Sequence, residues 1–94
     1  MLFSVHAIDK PDAAAKRQKA HTAHTAHLKN AKDYGVTIVA GGPLLSDDGN
    51  GSVGSLMLLE AADRQSVDAF NRADPFSKGV WANVQINRFD KRQG

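Results

Sequence analysis

The sequence predicts an α+β fold in the order β-α-β-β-α-β, and three observations predict it. Four segments carry the apolar alternation or apolar density of strands. Two segments between them open and close on helix-start and helix-stop residues. Clusters rich in Gly, Pro, Asp and Asn punctuate the junctions.

Met1 to Ile8 reads as the first strand, with Phe3, Val5 and Ala7 alternating against Leu2, Ser4, His6 and Ile8. Asp9-Lys10-Pro11-Asp12 opens a helix, with Pro11 or Asp12 near its first turn. That helix runs on to Tyr34, where Gly35 stops it as a left-handed cap. Val36 to Leu45 is the second strand, with Gly41, Gly42 and Pro43 marking a bend or bulge. Ser46 to Gly51 is a turn by composition, and Ser52 to Glu60 returns as a third strand hairpinned to the second. Asp63 caps a short helix with Val67 and Phe70 inward, and Asp74-Pro75 ends it. Val80 to Phe89 is the fourth strand. Val80, Ala82, Val84 and Ile86 face one way, and Trp81, Asn83, Gln85 and Asn87 the other. One antiparallel sheet with both helices on one face is the ferredoxin-like arrangement. The uncovered face still carries apolar groups, so it is expected to meet a second sheet in a dimeric α+β barrel.

Size and composition narrow the function. A chain of 94 residues is expected to form one domain with one modest core. The net charge of +2 is weak, and the basic residues form no aromatic-interleaved stripe, which argues against nucleic acid. The absence of cysteine excludes disulfide and thiolate chemistry and fits a reducing compartment. No apolar run reaches membrane-spanning length and the start lacks a signal-peptide pattern, so the expectation is a cytoplasmic protein with no membrane partner.

The run Lys19 to Leu28 places His21, His24 and His27 at three-residue spacing, three of only four histidines in the chain. Histidine titrates near neutrality without help. On a helical wheel His24 and His27 fall inside a stripe with Ala13, Ala20, Ala31 and Tyr34, and His21 sits at its edge beside Arg17. Three readings stand open. They are partly buried structural histidines, a metal site of zinc, copper or nickel type, or acid–base catalysis by one histidine oriented by a distant carboxylate. His6 on the first strand is a weaker candidate, placed to line the space between sheets.

Several short motifs in order resemble the YCII-related (YciI-like) family. They are the first strand ending in Asp9-Lys10, His24 eleven residues before Gly35, Ala40-Gly-Gly-Pro43, an acidic-glycine turn, and Ala73-Asp-Pro-Phe76 followed by Gly79-Val80. The resemblance covers nearly the whole chain and implies a single YCII-like domain over residues 1–94, ferredoxin-like, forming a homodimeric α+β barrel. It implies a site pairing His24 with Asp74. Members often carry arginine three residues before the site histidine; here that position is His21. The best defined activity among similar proteins is dehydrochlorination of a chlorinated hydroxyhydroquinone, and muconolactone isomerases share the barrel architecture and proton-transfer chemistry. The resulting expectation is a cofactor-independent enzyme without metal. His24 and Asp74 are its catalytic pair, and His21, His27, Ser77 and Phe76 contact a small-molecule substrate. A non-catalytic ligand-binding or accessory dimer is the alternative.

Overall fold

The computed structural model describes residues Met1–Gly94 and shows the expected α+β order. Its strands are β1 (Leu2–Asp9), β2 (Val36–Leu45), β3 (Ser52–Ala61) and β4 (Trp81–Phe89), and its helices α1 (Ala14–Lys29) and α2 (Arg64–Ala73). The sheet order is β2-β3-β1-β4, antiparallel throughout, which is the ferredoxin-like topology. No helix is long and apolar enough to cross a membrane.

Phe3, Val5 and Ala7 of β1 and Met57, Leu59 and Ala61 of β3 form the core beneath the helices, all almost wholly buried. Val67 and Phe70 of α2 complete it. Asp63 accepts the Ser66 backbone N–H and so caps α2, as its sequence position predicts.

The first helix differs from expectation at both ends. Pro11 and Asp12 form a turn before it, with Asp12 in the left-handed region at φ 60° that aspartate tolerates. The helix then ends at Lys29, and Asn30 passes the chain into a 3₁₀ turn, Ala31–Tyr34, capped by Gly35 at φ 72°. The tighter turn brings Ala31 into the core and sets the Tyr34 ring against Phe70 and His27. No residue of α1 is buried. Its inner face packs Ala20 and Leu28 against the core, and Arg17 and His24 on the same helix border a cavity.

Two bulges set the geometry of that cavity. Ile38 pairs with Leu59 but Ala40 with Leu58, so Val39 is the extra residue in β2. Beyond it Gly41 and Pro43 lie opposite Met57 and Ser55 on the helix side. The second bulge lies between Ile8 and Asp9, where Asn83 is followed in the pairing by Trp81. This corrects the alternation expected for β4. Trp81 turns to the helix side and is buried, while Ala82 is exposed.

Candidate active site

The short segment after α2 builds the centre of the site. Asp74 precedes Pro75, which favours extended backbone and stops the helix. A 3₁₀ turn at Pro75–Ser77 follows, and the Asp74 carboxylate caps it, its Oδ1 accepting the Phe76 N–H at 2.9 Å. The same Oδ1 receives His24 Nδ1 at 2.8 Å. Asp74 is fully buried, and its Oδ2 has no partner in the protein.

This bond fixes the roles of the imidazole nitrogens. A carboxylate accepts, so Nδ1 carries the proton that is shared. In the neutral ring Nε2 then keeps its lone pair; it makes no hydrogen bond within the protein and is not sealed from solvent. The His24 ring lies flat on Phe76, with centroids 3.8 Å apart and planes 6° from parallel. Phe76 meets Trp81 edge-on, and the Arg17 guanidinium carbon stands 4.6 Å from the Phe76 centroid. One phenyl ring thus orders an imidazole, an indole and a guanidinium.

Arg17 is tied down on three sides. Its Nε and Nη2 donate to the two oxygens of Asp9 at 2.9 and 3.0 Å, and Nη2 also donates to the Gly54 carbonyl and to Ser55 Oγ. Both members of the Arg17–Asp9 pair are mostly buried. Trp81 Nε1 donates to Ser55 Oγ as well, at 3.3 Å. A cavity of about 650 Å³ opens above this set, between α1 and the β2–β3 hairpin. Arg17, His21, His24, Ser55 and Phe76 all line it.

The structure therefore brings His24, Asp74 and Phe76 together, with His21 exposed on the cavity wall. It does not bring His27 or Ser77 to that wall. His27 Nε2 donates to the Phe70 carbonyl at 2.8 Å, and its ring stacks on Phe70. Ser77 Oγ shares its one proton between the Asp74 carbonyl at 2.7 Å and the Arg72 carbonyl at 3.0 Å, closing the turn that carries Asp74. No three histidine and carboxylate side chains converge on one point.

Arg17, Asp9 and Ser55 were not among the residues expected at the site. The signal for Arg17 was present: it precedes His24 by seven residues, two helical turns on the same face. The resemblance directed attention to the position of His21, yet the guanidinium at the site comes from one turn earlier. The β4 alternation puts Trp81 on the face opposite to the observed one, because the bulge that turns it inward leaves no mark in the sequence.

The model of the YCII-related domain matches residues 1–90. The chain belongs to this family. Protein YciI of Escherichia coli O6:H1 is 33% identical over 97 residues, covering 97% of this chain and 98% of that protein. The solved structure of 5-chloro-2-hydroxyhydroquinone dehydrochlorinase (TftG) from Burkholderia phenoliruptrix AC1100, in complex with 2,5-dihydroxybenzoquinone, matches with a TM-score of 0.83 and 32% identity, over 96% of this chain and 94% of that one. A Pseudomonas aeruginosa structure, PA3566, shares the fold at 13% identity and a TM-score of 0.56, over 98% of this chain and 93% of that one.

Proposed function

We propose that this YCII-related protein is a cofactor-independent enzyme that moves protons on a small hydroxylated ring, and that its reaction is dehydrochlorination of a chlorinated hydroxyhydroquinone. The observation that carries this reading is the His24–Asp74 pair. A fully buried carboxylate holds Nδ1 and leaves Nε2 of the neutral ring as a free base beside a cavity with room for an aromatic ring. The likeness to the dehydrochlorinase of Burkholderia supports the choice of substrate.

In this mechanism His24 Nε2 is the general base and Asp74 orients the ring and stabilises the imidazolium that forms. The ring ketonises as one hydroxyl proton moves to the chlorine-bearing carbon. His24 then removes the proton of the hydroxyl para to the new carbonyl. The freed electron pair shifts through the ring and expels chloride. The products are a hydroxyquinone, chloride and a proton, and no external oxidant is required because the C–Cl bond takes the electron pair. Phe76 holds the imidazole plane. His27 and Ser77 act on the architecture, through Phe70 and the Asp74 turn.

We further infer a homodimer through the bare sheet face. Ile8, Leu56 and Phe89 lie there between 42% and 45% exposed, with Leu2 and Leu58 beside them. Contiguous apolar surface of this kind marks an interface, and sedimentation equilibrium reads it directly.

The test of the function is chloride release from 5-chloro-2-hydroxyhydroquinone. His24→Gln and Asp74→Asn are each expected to lower kcat by about 10²–10⁴-fold, with 2,5-dihydroxybenzoquinone still bound. Turnover at the wild-type rate in both variants refutes the pair as the catalytic base.

A further inference from the structure

We infer that Ser55 and Arg17 form a donor-only cradle for a single oxygen of the ligand, which makes Ser55 a specificity-determining residue of the site. The inference deepens the proposed function and rests on its reading of the cavity as a ring-binding site.

A serine Oγ has two lone pairs and one proton. Arg17 Nη2 and Trp81 Nε1 both point at Ser55 Oγ, at 2.9 and 3.3 Å. Guanidinium and indole N–H groups donate and never accept. They occupy the lone pairs and leave the Ser55 proton without use for either neighbour. Ser55 Oγ donates to no other group in the protein. Ser55 is only 6% exposed, and what remains open lines the cavity. A buried hydroxyl proton is not left idle without cost, so the site is complete only when a ligand presents an acceptor there.

Arg17 supplies the second donor. Its Nε and Nη2 are committed to Asp9, Gly54 and Ser55, whereas Nη1 makes no hydrogen bond in the protein and is not buried. The bidentate ion pair with Asp9 offsets the guanidinium charge. The cradle therefore offers direction more than net charge. It suits the single oxygen of a phenolate, enolate or quinone carbonyl, and it does not suit a phosphate, which needs uncompensated positive charge.

Together with His24 Nε2, the cavity then has two poles of opposite character. One pole accepts a proton and the other only donates. The substrate class is a planar ring with a hydroxyl at one position and an oxygen acceptor at another. During ketonisation the cradle stabilises the oxygen on which negative charge develops.

The experiment is an absorbance titration of the full chain with 2,5-dihydroxybenzoquinone, in the wild type, Ser55→Ala, Ser55→Thr and Arg17→Lys. Ser55→Ala is expected to weaken binding by about 10-fold or more, the worth of a hydrogen bond to a charged oxygen. Ser55→Thr, which keeps the hydroxyl, is expected to restore most of the affinity, which separates a lost donor from a disturbed strand. Arg17→Lys is expected to weaken binding by a similar factor. An unchanged Kd in Ser55→Ala, or no binding by the wild type, overturns the cradle. Chloride release measured in parallel separates the two readings. Ser55-dependent binding without turnover leaves the cradle standing and removes the dehydrochlorinase. His24-dependent turnover with Kd and KM indifferent to Ser55 does the reverse.

Discussion

Phe76→Leu tests whether one ring organises the site, because it removes no polar group. Phe76 is 1% exposed and touches His24, Arg17 and Trp81 through its faces and edge. Leucine keeps the site apolar but leaves a small void, worth about 1 kcal/mol. The aromatic contacts with His24 and Trp81 add about 0.5–1.5 kcal/mol each, and the Arg17 contact about 0.5–1 kcal/mol. These terms share one ring and do not add fully, so the expected loss is about 2–3 kcal/mol. For a small domain this moves a urea midpoint by on the order of 1–2 M. The hydrogen bonds to Asp74 use His24 Nδ1 and the backbone N–H of position 76, so both survive the change. Activity is nonetheless expected to fall, since the imidazole plane loses its support. A loss below about 0.5 kcal/mol with unchanged kcat refutes the reasoning.

Other perturbations separate the site from its scaffold. Gly54→Ala places a Cβ against the Ala7 carbonyl oxygen and close to Leu44, so β3 must move off β1; a loss of about 2–4 kcal/mol is expected by thermal unfolding, with ligand affinity reduced because Gly54 and Ser55 anchor Arg17. His27→Ala removes the bond to the Phe70 carbonyl and the stacked ring, and is expected to cost about 1–3 kcal/mol with kcat/KM changed less than about threefold. The Ser66 backbone N–H holds the Asp63 carboxyl below the ordinary aspartate value of 3.8. Its contribution to stability is therefore fully present above that value and is lost as pH falls through the lowered pKa. Asp63→Asn keeps a cap on α2, and the same acid titration followed by circular dichroism is expected to show a smaller stability slope below pH 4.

Most of the fold was legible because local signals agreed with the global arrangement. Asp63, Asp74-Pro75 and Gly35 each mark an element boundary by backbone chemistry that needs no tertiary partner. The split of the first helix at Asn30 was not legible, since the gain comes from packing Ala31 and Tyr34 against distant residues. The face of Trp81 was hidden for a related reason. A bulge is a relation between two strands, and the β4 sequence alone preserves a clean alternation.

The site divides in the same way. His21, His24 and His27 stood out by spacing, and the resemblance singled out His24 and paired it with Asp74, fifty residues away. His27 had the same helical pattern as His24, but one more turn carries it over Phe70 instead of Phe76. Ser77 was close in sequence to Asp74 and for that reason serves its turn. Arg17 and Ser55 gain their meaning only from each other and from Asp9 and Trp81, residues on three different strands and a helix.

The central claim is that Asp74 fixes the tautomer of His24, and nitrogen-detected NMR of the imidazole rings reads it most directly. The wild type is predicted to show His24 with a proton on Nδ1 and a bare Nε2, and Asp74→Asn to lose that preference. His27, which donates from Nε2 to Phe70, reports in the same spectrum that the variant is folded. A His24 ring protonated on Nε2 in the neutral wild type, or one indifferent to Asp74→Asn while His27 holds its signal, contradicts the account.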